Sequence, residues 1–224
     1  MRGHTSQAFA SELQELKDRL LGMGARCERL ILMSIHALQQ QDPELAREAE
    51  IMDQHINADE IYVDDLAVRI LALRHPVGRD LRFTLSALKV VVDLERIGDE
   101  AVNIAERATD LSGEPELPAP HILLPEMGRV AATMLHRALD SFVEEDGDKA
   151  RQVLAMDDEA DAFYGRLLRE SIAHMTGHPE RVEPAMAIAS CAKYLERIAD
   201  HATNIAEMVV FLVDGVDVRH PYKR

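Results

Sequence analysis

Tryptophan is absent from this chain, cysteine occurs twice, and aromatic residues of all kinds make up 4% of it. Each scarcity excludes something. Cys27 and Cys191 lie far apart and outside any CxxC pair, which excludes a disulfide scaffold and fits a reduced, cytoplasmic compartment. No apolar run approaches the ~18 residues that a membrane span needs. The opening MRGHTSQAFASELQELKDRLL turns amphipathic without a signal-like apolar stretch, so contact with a membrane is expected only through protein partners. Positive charge is short as well. Against 40 Asp and Glu stand 25 Lys and Arg, and the formal charge of −15 repels nucleic-acid phosphate and anionic lipid, so no nucleic-acid partner is expected. There is no Gly-rich phosphate loop, no GxSxG and no ExxH, the last of which di-iron carboxylate oxidases need on two helices. The chain does not read as an enzyme.

What is present is a palette for packed helices: 47% apolar residues, carried by Leu, Ile, Val, Ala and Met. Helical periodicity breaks at Asp42-Pro43, at RHPVG (74–78), at EDGD (145–148) and at TGHPE (176–180). The segments between run to roughly 25–35 residues, rods of about 40–50 Å at ~1.5 Å per residue. The longest break, LSGEPELPAPHILLPEM (111–127), carries four prolines and divides the chain into 1–110 and 128–224. The expected fold is all-α: two tandem antiparallel three-helix bundles, related by internal duplication. Long amphipathic rods also favour a homodimer.

The duplication is explicit. LERIGDEAVNIAE (94–106) returns as LERIADHATNIAE (195–207), identical at ten of thirteen positions, and MDQHINAD from Met52 matches MDDEADAF from Met156. In the first phrase Leu94, Ile97, Ala101, Ile104 and Ala108 share one narrow arc of the helical wheel, as do Leu195, Ile198, Ala202, Ile205 and Val209 in the second. That arc is the predicted core face. Roughly opposite lies an oxygen-rich stripe about 80° wide, Glu95, Asp99, Asn103 and Glu106, repeated as Glu196, Asp200, Asn204 and Glu207. Small residues along its flank, Gly98 and Ala105 or Ala199 and Ala206, would let another helix approach, while Arg96 and Arg197 point to water.

Carboxylates one turn apart repel by about 0.2–0.5 kcal/mol per pair on a bare helix, so the stripes ask for a compensating charge. A hard cation supplies it, with carboxylate, Asn and water oxygens as ligands. The second helix of each half offers a facing set: Asp53, Asn57, Glu60 and Asp64 in one, Asp157 and Asp161 in the other. An acidic stripe alone is most simply a solvated face in which Arg96 pairs with Asp99 or Glu100, and Arg197 with Asp200. Its recurrence in register, with a second-helix partner each time, favours the ligand reading. His174 and His178 straddle the Thr176-Gly177 break, and Cys191 reads as a buried structural thiol.

PVGRDLRFTLSALKVVVDLERIGDEAVNIAERA (76–108) and YLERIADHATNIAEMVVFLVDGVDVRH (194–220) resemble the two signature regions of the PhoU family. The resemblance covers essentially the whole chain. It implies a helical negative regulator of the bacterial phosphate regulon, linking the ATPase of the phosphate-specific ABC transporter to a sensor histidine kinase at the inner face of the membrane. It also implies metal (Mg, Mn, Fe or Zn) at the ExxxD motifs, here Glu95 with Asp99 and Glu196 with Asp200. Two positions depart from the repeat: Glu100 stands where the second copy has His201, and Tyr164 stands where the first half has Glu60. The ligand sets of the halves are therefore expected to differ. A metal-independent adaptor, whose acidic stripes bind basic partner surfaces, is the alternative.

Overall fold

The computed structural model describes residues 2–215, with side chains from residue 7 onward, so 216–220 of the second signature region lie outside the described residues. Among the described residues all regular structure is helical. It comprises α1 (Arg2–Gln40), α2 (Pro43–Arg74), α3 (Gly78–Asp110), a 3-10 turn (Ala119–Leu123), α4 (Leu124–Glu144), α5 (Gly147–Leu154), α6 (Asp157–Gly177), a second 3-10 turn (Pro179–Arg181) and α7 (Val182–Asp214). The expected all-α fold is observed, with one departure: the middle helix of the second half is broken into α5 and α6 at Ala155-Met156.

Helices α1, α3, α7 and α4 pack in a ring around one continuous core, with α2 laid over α1 and α3, and α5 and α6 over α4 and α7. The halves thus lie side by side. All ten residues of the two predicted core arcs, from Leu94 to Ala108 and from Leu195 to Val209, are fully buried. At about 25 cal/mol per Å² of apolar surface removed from water, these residues hold α3 and α7 in place.

The duplication is legible in the turns as well. α1 ends with Gln41 at φ 51° and α4 with Glu145 at φ 54°, 104 residues on. In each turn the following residue, Asp42 or Asp146, sends its N–H back to the fifth carbonyl before it, Ala37 or Ser141, at 2.9 Å. These are the helix-ending bonds that usually call for glycine. Here side-chain contacts compensate for the strained backbone: Gln41 Nε2 donates to the Leu111 and Glu114 carbonyls at 2.6 and 2.8 Å, and Glu145 accepts from Lys17 and Arg79. Asp42 and Asp146 then cap the next helix, each accepting two backbone N–H groups.

The seam between the halves repeats too. A Cβ on Gly24 of α1 would stand 2.0 Å from Leu139 Cδ1 of α4, and one on Gly128 of α4 would stand 1.9 Å from Ile35 Cδ1 of α1. Both the glycines and their partners are related by the same 104-residue shift, so the seam is a pseudo-twofold contact of the kind a homodimer makes. Across it α3 runs antiparallel to α7: Glu100 accepts from Arg197 Nη1 at 3.1 Å, and Asp93 Oδ1 meets His201 Nδ1 at 2.8 Å and Asn204 Nδ2 at 3.2 Å.

Candidate functional site

The residue that lets α2 approach α3 closely is Gly98, in the middle of the first repeated phrase. A Cβ there would meet Asp53 Oδ1 at 2.8 Å and Ile56 Cγ2 at 3.3 Å, so the Asp53 carboxylate rests in a cradle that any side chain would fill. Asp53 Oδ2 accepts from Asn57 Nδ2 at 2.9 Å, while Asp53 Oδ1 and Asn57 Oδ1 are buried without a partner. Two acceptors withdrawn from water and left unpaired are costly, about 1–3 kcal/mol each.

Around this pair the carboxylates crowd one another. Burial pushes Asp53 above the ordinary aspartate range, and the Asp99 charge adds to it. Glu95 is raised by burial and then by Asp99, Glu60 and Asp53; Glu60 is raised by burial, Asp64 and Asp99. Asp53, Glu60, Glu95 and Asp99 therefore form one electrostatic group between α2 and α3, with Asp64, itself raised by burial and Asp65, at its far edge. These are the residues that could hold a hard cation: oxygen donors, excess negative charge, and orphaned acceptors.

The second half assembles its own group between α6 and α7. Asp200 is pushed up to about 6 by burial and then by the Glu196 and Asp157 charges, with Asp161 a smaller contributor. Asp157, in the first turn of α6, is raised by burial and by Asp161, Asp158 and Glu196. Asp200 remains solvent-reachable overall, so salt screens much of this repulsion. Three features distinguish this face. Lys193 Nζ lies 2.5 Å from Glu196 Oε2 and over the Tyr164 ring, 5.2 Å from its centroid. Thr203 Oγ1 donates to Asp157 Oδ1 at 3.2 Å. Ala199 takes the place of Gly98, so the cradle is filled. None of Asp157, Asp161, Glu196 and Asp200 carries a buried oxygen without a partner.

Of the fourteen oxygen donors singled out from sequence, ten are thus drawn into two groups, Asp64 at the edge of the first. The other four are not. Glu106 is exposed and faces Arg107 at 3.4 Å, and Asn103 is half-buried farther along α3. Asn204 turns to Asp93 across the seam, and Glu207 lies half-buried farther along α7. Nor do Glu100 and His201 differentiate the ligand sets, since both face the seam. The within-helix pairing considered for the arginines is replaced: Arg197 bonds Glu100 of α3, and Arg96 is exposed. Sequence reasoning missed Lys193, Thr203 and Asp93. Lys193 and Glu196 show in sequence only as an ordinary i,i+3 ion pair. Among the described residues no three His, Cys, Asp or Glu side chains converge as a ready-made ion cage. The His174 and His178 ring centroids lie 4.8 Å apart, tilted by 39°, and both cysteines are buried, free thiols, that of Cys191 pushed up to about 12 by burial.

Among the described residues the scaffold is a duplicated bundle of seven α-helices, the middle helix of its second half broken in two, with a carboxylate face on each half. The PhoU domain model matches twice, over residues 20–108 and 124–209, and the chain belongs to the PhoU family. It is similar to the phosphate-specific transport system accessory protein PhoU homolog of Pseudomonas putida, at 41% identity over 97% of this chain and 85% of that protein. The corresponding protein of Escherichia coli K12 is 32% identical over 97% of this chain and 90% of its own length. Among solved structures, PhoU from Pseudomonas aeruginosa superposes with a TM-score of 0.89 at 39% identity, covering 93% of this chain and all of that one. The phosphate transport system regulatory protein PhoU from Streptococcus pneumoniae gives 0.87 at 31% identity, covering 95% and 100%. Among the described residues no helix is long and apolar enough to cross a membrane.

Proposed function

We propose that this protein is the regulatory accessory subunit of a phosphate-specific transport system, coupling the transporter's ATPase subunit to a sensor histidine kinase and holding the phosphate regulon off when phosphate is plentiful. Family membership along nearly the whole chain carries this reading. It acts by binding rather than by catalysis, as a homodimer recruited to the inner membrane face by its partners. A deletion strain should express a phosphate-regulated reporter in high phosphate at a level near that of starved cells. Normal repression in that strain would contradict the role.

The first carboxylate group holds a divalent or transition metal ion, Mg, Mn, Fe or Zn, in this reading. Asp53 Oδ1 and Asn57 Oδ1, buried and unpartnered over the Gly98 cradle, are the observation that supports it. Glu60, Glu95 and Asp99 supply the remaining charge. When bound, the ion contributes charge neutralisation and a bridge between α2 and α3. This chain's residues do the rest: Gly98 seats Asp53, Asn57 donates to it at 2.9 Å, and the buried Ile56 fills the other side of the Gly98 cradle. The absence of three converging donors favours the competing reading, a metal-independent adaptor with acidic faces for basic partners. Metal analysis of the purified protein separates the two.

A further inference from the structure

The two carboxylate faces occupy equivalent places in the repeat, yet four substitutions between them act in one direction. Val92 is replaced by Lys193, Glu60 by Tyr164, Gly98 by Ala199 and Val102 by Thr203. The first adds a positive charge, the second removes a negative one, the third fills the cradle, and the fourth provides a hydroxyl donor that Asp157 uses. Lys193 reaches forward from one turn before Glu196, its ammonium 2.5 Å from Oε2, and the Tyr164 ring flanks it at the position that corresponds to Glu60. The result is a carboxylate face with no buried oxygen left unpaired, whereas the first face keeps two, Asp53 Oδ1 and Asn57 Oδ1.

We propose that Lys193 is the resident cation of the second carboxylate group, so that this half is closed to metal and only the first half loads. An ammonium held on Glu196, with the Tyr164 ring beside it, repels an arriving divalent ion and withholds Glu196 from it. The inference rests on the ligand reading above only for the metal in the first half; the role of Lys193 stands on its own contacts. The second half therefore keeps its acidic face ordered at any metal concentration, and metal availability changes one side of the molecule.

The test uses the full-length, metal-stripped chain titrated with Mn(II), with bound ion counted after dialysis and folding checked by circular dichroism. Lys193→Met, and Lys193→Gln as a second neutral variant, should each bind an additional class of Mn(II) at least about tenfold tighter than any second class in wild type. Glu196→Gln/Asp200→Asn in either background should abolish that class, yet leave wild-type binding unchanged within about twofold. Val92→Lys should weaken first-half binding about tenfold or more. The proposal is overturned if both neutral variants bind no more Mn(II) than wild type, or if wild type loses a class with Glu196→Gln/Asp200→Asn. Wild type binding no Mn(II) at all would defeat the ligand reading of the first half. Lys193 is then decided by its neutral variants alone, a gain supporting the proposal and no gain overturning it.

Discussion

The two halves of this molecule agree where apolar surfaces meet and part where charges do. Their core arcs are identical in kind and buried to the same degree; their turns share the φ > 0 residue, the return bond and the Asp cap; their seam glycines are reciprocal. Their carboxylate faces differ at Val92/Lys193, Glu60/Tyr164, Gly98/Ala199 and Val102/Thr203. Close packing makes every methylene felt, so duplicated cores stay alike. A cluster of acids can be neutralised from outside or from within, and in our proposal the two halves adopt different solutions.

The strongest way to break the comparison is to move the second half's packing into the first. Ile56 is fully buried against Gly98, and its counterpart in the repeat is Ala160, facing the Ala199 helix. Ile56→Ala should cost about 3 kcal/mol in chemical denaturation. Adding Gly98→Ala in that background should recover about 1 kcal/mol, through helix propensity and filled volume, because the Asp53 carboxylate, 2.8 Å from the new Cβ, can swing into the space that Ile56 leaves. In wild type the same Gly98→Ala change is expected to destabilise, because Asp53 and Ile56 occupy the space. A recovery of equal sign in both backgrounds would show that Ile56 does not define the cradle.

A smaller effect sharpens the agreement between halves. Asp42→Ala and Asp146→Ala each remove a cap with two backbone donors, and each should lower stability by about 1 kcal/mol. A marked inequality would mean that the break between α5 and α6 has already weakened the second half's middle helix.

The smallest effect is electrostatic and is read on the second face by pH. In metal-free protein Asp200 titrates near 6, against 3.8 in the unfolded chain, so between these values the folded state holds more protons. Stability from this group is therefore present at low pH and lost as pH rises from 3.8 through 6. Asp200→Asn should reduce the gain in melting temperature between pH 7 and pH 5, and 0.5 M salt should shrink the difference, since the residue is solvent-reachable.

Much of this was legible in the chain. The 3.6-residue period located the core arcs, Pro and Gly located four breaks, and the repeated phrase placed Glu95, Asp99, Glu196 and Asp200 on faces opposed to α2 and α6. The break at Ala155-Met156 was not legible, because neither residue interrupts a helix by itself. It becomes understandable once α6 is seen to open with Asp157, Asp158 and Glu159, which suit the positive end of a new helix. The Asp93–His201 contact spans 108 residues, and no local pattern announces a pair that depends on two helices crossing. Glu106 and Asn204 were grouped with the acids by the wheel alone, which counts angle but not the neighbour each side chain turns to, here Arg107 and Asp93.

The central claim is that the first repeated phrase is kept acidic because it receives its positive charge from a bound ion. Thermal unfolding of wild type and of Glu95→Gln/Asp99→Asn, with and without Mn(II) at ~100 times its dissociation constant, tests it directly. Wild type should gain about 2.7 kcal/mol from the ion, and the variant should lose most of that gain. Without metal the variant should be as stable as wild type or slightly more so, because mutual repulsion on α3 has been removed. An equal metal-induced gain in both proteins would contradict the claim, as would a variant that is less stable than wild type by the same amount with and without the ion.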